Sequence, residues 1–297
     1  MTEPAVTVVV PHYGSPDTPL PLLEALRGQR DAPELQVVVV DDASPTPFPG
    51  APGVGVVRRE ANGGFGAAVN TGVEVAEGDL LLVLNSDLEV RERFVRDLLD
   101  GARPWLPAVV SPRVVDADGV ELYTGRHFPR VHHQAAEWLV PLARWRDTAA
   151  LHEAVGHDVR AHGAEAVVDW AVAAALLMPV ADFRAVGGFD DRFFMNSEEV
   201  DLQRRLRERG LPTVVLAAPT VVHAVGGSSD PALRRRWLVE SRLEYAAKWG
   251  GRRRLQAALG AATATNLVWN TGRRLAGRDS APLRTARDEL RLLRTRR

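Results

Sequence analysis

Cysteine is absent from the 297-residue chain. Its absence excludes a disulfide scaffold, a thiol nucleophile and cysteine-ligated zinc or iron–sulfur centres, and it fits a reducing compartment. No stretch approaches the roughly 18 consecutive apolar residues of a membrane span. The opening Met1-Thr2-Glu3-Pro4 has neither the basic stretch nor the apolar core of a secretory signal. The expectation is a soluble, cytoplasmic protein. The dinucleotide fingerprint is lacking too, because Gly63-Gly64-x-Gly66 is followed three positions on by Val69. That argues against a nicotinamide oxidoreductase. Helix-turn-helix spacing, zinc fingers and stacking-aromatic motifs are missing, so nucleic acid is not an expected partner.

What is present suffices for a large α/β domain with an appendage: 45% of residues are hydrophobic and 25% charged. The net charge of −1 conceals an asymmetry. Residues 232–297 hold 17 of the 37 Lys+Arg and 5 of the 38 Asp+Glu, a net of +12 against −13 for residues 1–231. The expected division is therefore 1–231 for the main domain and 232–297 for a basic helical region. Such a tail seeks phosphates or anionic lipid.

Val6–Val10, Leu35–Val40, Val54–Val57 and Leu80–Leu84 are short, rich in Val and Leu, and do not alternate with polar residues. Runs of this kind suit strands buried on both faces of a parallel sheet. Leu20–Arg27, Gly66–Ala76 and Arg91–Ala102 read as helices between and after them. The rhythm predicts a doubly wound α/β sheet, in which ligands bind beyond the carboxyl ends of the strands. Those ends carry Pro11-His12-Tyr13, Asp41-Asp42-Ala43-Ser44, Asn62-Gly63-Gly64-Phe65 and Asn85-Ser86-Asp87. Singly, each has a structural reading as a cap, an Asx-turn or a loop. Their recurrence at successive strand ends points to a site.

In the second half, Phe193-Phe194-Met195-Asn196 leads into Ser197-Glu198-Glu199-Val200-Asp201, which reads as a helix start with acids in its first turn. Such acids cap a helix, and a carboxylate at the edge of an apolar pocket is also a tunable general base. His223 ends an apolar strand, where it is either structural or a ligand.

Together these pieces resemble the family 2 inverting glycosyltransferases of the GT-A fold, in particular their rhamnosyltransferase-like branch. The resemblance spans roughly residues 5–225. It rests on Val8–Tyr13, Val39–Ser44, Asn62–Asn70, Asn85–Asp87, Gly187–Met195 and Glu198–Leu202. It implies a Rossmann-like, doubly wound mixed sheet with a C-terminal helical extension. The implied activity is metal-dependent, inverting transfer of a sugar from a nucleotide-diphosphate sugar to a hydroxyl of a glycan or polyprenyl-linked acceptor. The branch suggests L-rhamnose from dTDP-rhamnose; UDP-hexoses and galactofuranose are alternatives, as is a non-catalytic nucleotide-sugar-binding module.

The resemblance also implies roles. Asp41 contacts the pyrimidine, with Pro11 and Tyr13 lining the base site. Asp42, Asn62, Gly64, Phe65 and Asn70 belong to the donor-binding loop and helix. Asn85-Ser86-Asp87 stands where relatives carry Asp-x-Asp, leaving Asp87 as the main ligand to Mg²⁺ or Mn²⁺, with His223 as a second. Glu198-Glu199-x-Asp201 matches the acidic catalytic motif, and the base falls on Glu199. Trp170 faces sugar or acceptor, or belongs to the core. Residues 121–160, with His127, His132 and His133, are expected on the acceptor side with the histidines as exposed loop residues. The tail from Pro231 reads as helix and is a candidate contact with an anionic surface at the inner face of the plasma membrane.

Overall fold

The computed structural model describes residues 6–223 and 230–294. Along the chain run β1 (Val6–His12), α1 (Leu20–Arg27), β2 (Leu35–Asp41), β3 (Val54–Arg58), α2 (Phe65–Glu74), β4 (Leu80–Leu84), β5 (Leu88–Val90), α3 (Phe94–Ala102), β6 (Val109–Val115) and β7 (Gly125–Arg126). Then come α4 (Val131–Trp138), α5 (Ala149–Ala154), β8 (Ala166–Val168), β9 (Trp170–Ala171), β10 (Ala175–Pro179), α6 (Val180–Ala185), α7 (Glu198–Glu208) and β11 (Thr213–His223). Three helices follow: α8 (Pro231–Lys248), α9 (Arg252–Leu275) and α10 (Pro282–Leu293). The described residues fall into two compact units, one from 6–126 and 160–223, the other from 127–159 and 230–294.

The first unit is built on a nine-stranded sheet of order β3-β2-β1-β4-β10-β6-β11-β5, with β8 also paired to β11. β1 to β4 are mutually parallel, as the apolar runs predict. Beyond β4 the sheet becomes mixed, because β10 runs antiparallel to both β4 and β6. All five residues of β4 are buried. Leu82 and Leu84 pack on one face with Leu22 of α1 and Leu98 of α3, whereas Leu81 and Val83 face Val69 of α2 and Leu202 of α7. Fully burying one such side chain contributes about 1.5–3 kcal/mol, so a strand apolar on both faces belongs at the sheet centre. The helix expected over Arg91–Ala102 starts later, at Phe94, after a turn over 91–93 that follows the short strand β5.

The second unit is helical, with a core of Trp138, Val239, Leu243, Leu255, Leu259 and Leu293. Residues 127–159 are tied to α9 by polar contacts: Trp138 Nε1 donates to Thr263 Oγ1 at 2.9 Å, and Asn266 bonds the backbone of Trp138 and Val140. The expectation of exposed loop histidines fails for His132 and His133, both on α4 with His133 buried, and His127 is half-buried. The helical stretch from Pro231 is as expected.

Candidate active site

The carboxyl ends of β1, β2 and β4 converge as the sheet rule demands. Asp41 is buried, and its carboxylate accepts from Ser44 N (2.8 Å), Phe48 N (3.0 Å) and Arg58 Nη1. Burial works to raise this carboxyl, but the bonds from Phe48, Ser44 and Arg58 outweigh it and hold the group below its ordinary range. Much of the acceptor capacity of Asp41 is thus directed at its own loop. Pro11 is buried opposite Val40, while Tyr13 is exposed beyond the strand end.

Asp42 has a different task. Its carboxylate accepts from Gly63 N and Gly64 N (3.0 and 2.8 Å) and pairs with Arg59 at 2.8 Å. The Asn62–Phe65 loop is therefore pinned to the end of β2. Gly64 has φ +84°, and a Cβ there would lie 1.8 Å from the Phe194 carbonyl oxygen. Only glycine permits this approach, and it brings the loop against the segment that precedes α7. Asn70 reinforces the join: its amide donates to Phe189 O and accepts from Phe189 N, at 2.9 and 2.8 Å. Phe65 meets Phe189 edge-on at 5.6 Å. Asn62 is exposed.

After β4, Asn85 and Ser86 are half-buried and Asp87 is more exposed. Asp87 Oδ1 and His223 Nε2 lie 3.4 Å apart. Burial works to raise the Asp87 carboxyl, but the hydrogen bond and charge of His223 prevail and hold it low. Two cis ligands of an octahedral ion, each at about 2.1 Å, are separated by about 3.0 Å, so this pair fits a shared divalent cation. No group of three or more ligating side chains occurs among the described residues. The donor set, one carboxylate and one imidazole, leaves the remaining positions to water and phosphate oxygens, which is the habit of Mg²⁺ and Mn²⁺; the imidazole favours Mn²⁺.

The third element is the start of α7. Asn196 and Ser197 both adopt left-handed φ (+69° and +66°). Consecutive non-glycine residues there carry strain of the kind that collects at functional sites. The turn delivers Glu198, Glu199 and Asp201 to the first turn of the helix. Glu198 is buried, and its carboxyl is pushed well up by burial and then by the charge of Glu199. Glu199 is also raised by burial, against its backbone hydrogen bonds and the charge of Arg126. Glu199 as a whole is half-buried, but Oε2 of each glutamate is enclosed without a hydrogen-bond partner among the described residues. Asp201 is fully buried and paired with Arg205 at 2.8 Å, and Arg205 Nη1 in turn holds Val186 O.

Trp170 lies half-buried on β9, with the Arg126 guanidinium 5.8 Å from its ring centre. Gln203 of α7 clamps this ribbon, accepting from Ala171 N and donating to Ala171 O at 2.8 and 2.7 Å. The site residues expected from the sequence thus lie on one unit, around one end of the sheet. Two arginines were not foreseen there, and His12 stood at its strand end without a role. Arg58 and Arg59 neutralise Asp41 and Asp42. His12 is buried beside Ser86, 3.5 Å from its hydroxyl, with Nε2 unpartnered among the described residues; burial, opposed by the Asp41 charge, lowers its pKa. Polar residues at a strand's carboxyl end were the available signal for all three.

This geometry can grip a diphosphate through a cation at Asp87–His223 and take a proton at the head of α7. Comparison with known proteins gives the family and the fold. Residues 7–144 match the family described as Glycosyl transferase family 2. The chain is 30% identical over 221 residues to an N-acetylglucosaminyl-diphospho-decaprenol L-rhamnosyltransferase of Mycobacterium tuberculosis, covering 67% of this chain and 70% of that protein. It is 24% identical to the rhamnosyltransferase WbbL of Escherichia coli, covering 58% and 63%. Among solved structures, a Pyrobaculum calidifontis mannosyltransferase in complex with GDP-Man and Mn²⁺ superposes with a TM-score of 0.58 at 19% identity, covering 99% of this chain and 86% of that one. The mixed sheet is that of the GT-A fold.

Proposed function

The chain belongs to glycosyl transferase family 2, a nucleotide-sugar-dependent glycosyltransferase, and from that premise we propose that it transfers L-rhamnose with inversion from dTDP-rhamnose to a hydroxyl of a lipid-linked or glycan acceptor. The observation that carries the reading is Glu199, a half-buried carboxyl in the first turn of α7 whose proton affinity burial has raised. A base tuned upward in this way is matched to take the proton of an acceptor hydroxyl. The sugar choice is supported by the likeness to rhamnosyltransferases. Absence of cysteine suits a cytoplasmic site of action.

In this reading the acceptor oxygen attacks the anomeric carbon while its proton passes to Glu199. The bond from that carbon to the diphosphate oxygen breaks on the opposite face, and the nucleoside diphosphate leaves with the electron pair. One displacement inverts the configuration. Asp87 and His223 would hold a divalent cation, whose chemistry there would be to neutralise charge on the diphosphate. Asp42 and Gly64 set the loop over the nucleotide, and Tyr13 and Pro11 border the base with Asp41. Asp201 acts through Arg205 to fix α7, as a positioning residue. Asn70 serves the same end at Phe189. The boundary expected at residue 231 needs one amendment: the transfer site lies on the unit of 6–126 and 160–223, and residues 127–159 belong with the helical extension.

A donor panel tests the assignment. Melting temperature measured with Mn²⁺ and either dTDP-rhamnose, a UDP-hexose, UDP-galactofuranose or GDP-mannose is expected to rise most with dTDP-rhamnose, because a ligand bound only to the folded state stabilises it by mass action. A larger shift with another donor reassigns the sugar. Binding without any transfer to acceptor makes the chain a sugar-nucleotide-binding module.

A further inference from the structure

Helix α9 packs inward through Leu255, Leu259 and Ala262. Polar side chains share that inward face: Thr263, Asn266 and Asn270 are nearly inaccessible, at 2%, 1% and 7% exposure. Thr263 and Asn266 are satisfied by Trp138 and Val140, and Gln256 by Leu293 O. Its outward face carries Ala257, Ala261, Ala264, Val268 and Leu275, at steps of three, four or seven residues that keep them on one side of a helix, bordered by the exposed Thr265 and Thr271. Val268 is 74% exposed and Leu275 85%. Between Arg254 and Arg273 the helix has no charged residue at all, and arginines bracket that stretch at both ends.

The flank of this face is cationic. Arg274 of α9 and Arg284, Arg287 and Arg291 of α10 line an open groove of about 1000 Å³ together with the two-thirds-exposed Leu283. Asp288 is the one acid lining it among the described residues, 3.6 Å from Arg291. Arg274, Arg284 and Arg287 make no ion pair among the described residues. From Arg252 to Arg294 the chain carries ten arginines against Asp279, Asp288 and Glu289, and Glu289 is buried against Arg235.

We propose that the outward face of α9 and the adjoining arginine groove of α10 dock on an anionic phospholipid surface, with Val268 and Leu275 entering the acyl boundary and the arginines on headgroup phosphates. Charge selects this occupant. A second copy docking through the same face would set arginine against arginine. Nucleic acid would satisfy the arginines but leave the apolar stripe in water. An anionic bilayer meets both demands at once, with apolar side chains below the phosphate plane and guanidinium groups in it. Trp269, partly exposed on the same helix, suits the headgroup level. The helix lies on the surface and does not cross it, since no described helix is long and apolar enough to span a membrane.

Flotation of the full chain with vesicles tests this. Recovery is expected with mixed phosphatidylcholine–phosphatidylglycerol vesicles, falling with salt, and not with phosphatidylcholine alone. The pair Val268→Asp and Leu275→Asp, and separately the pair Arg274→Glu and Arg287→Glu, are each expected to weaken partitioning more than tenfold. Both pairs lie on exposed positions, and an unchanged circular dichroism spectrum and melting temperature certify the fold. Equal recovery on neutral vesicles overturns the proposal. So does retained binding in both variants, or a surface that self-associates or captures an acidic polypeptide without binding vesicles.

Discussion

His223 Nε2 stands 3.4 Å from Asp87 Oδ1, and strand register brings them together: His223 pairs across the sheet with Leu88, the residue after Asp87. β11 reaches that register through an irregularity between Val215 and Thr220. A bulge near a site commonly re-aims a side chain, and here the strand beyond it ends on the histidine.

Asp87→Ala is therefore expected to abolish stimulation by Mn²⁺ and to raise the KM for the donor. His223→Ala is expected to weaken Mn²⁺ by more than the roughly ten- to hundredfold that loss of an outer-shell partner of a ligand costs. Titrating activity against Mn²⁺ in each variant reads both. Full activity in excess chelator would remove the metal from the reaction.

Glu198 makes a pH-dependent statement about stability. Its folded-state carboxyl is raised well above the ordinary value, by burial first and by Glu199 second. The folded state then holds the proton to higher pH than the unfolded state does. The stability linked to that proton is complete below the unfolded value of about 4.3 and is lost as pH rises through the folded one. Glu198→Gln never ionises, so its melting temperature is expected to gain on that of the wild type as pH rises from about 4 to about 8. A difference independent of pH would show that Glu198 does not titrate as its burial requires.

Gly64→Ala is expected to be far more damaging than an alanine elsewhere in left-handed backbone. At Gly64 the new methyl meets the Phe194 carbonyl, whereas at Gly53, with φ +75°, nothing lies within 4 Å. Gly53→Ala should cost about 1–2 kcal/mol, the conformational penalty alone. Gly64→Ala should exceed that in urea denaturation and also lower donor affinity, since the loop and the turn before α7 must separate. Equal costs at the two positions would contradict the close approach.

The sequence carried the first half of the fold plainly. β1 and β4 were legible because burial on both faces leaves no polar position, and Leu80–Leu84 was bounded to the residue. The approximate positions of the acids followed from the rule that ligands collect at strand carboxyl ends. Long-range pairings were illegible. Nothing local in Asn70 announces that its amide bonds Phe189, more than a hundred residues away. β10 reads like any apolar strand, and its antiparallel direction is a property of the connection. Residues 127–159 carry no periodicity that assigns them to the helical unit, because the bonds that place them, such as Trp138 to Thr263, are single contacts between distant segments.

Glu199 as the base of one inverting displacement is tested most directly by acceptor-dependent release of nucleoside diphosphate from Glu199→Gln, compared with Glu198→Gln and Asp201→Asn. The amide keeps the shape of the side chain and cannot take a proton. Glu199→Gln is expected to bind donor normally and to lose on the order of a hundredfold or more in kcat, while Glu198→Gln retains most turnover and Asp201→Asn loses stability through Arg205. Wild-type turnover by Glu199→Gln, with Glu198→Gln or Asp201→Asn inactive but folded, would contradict the assignment.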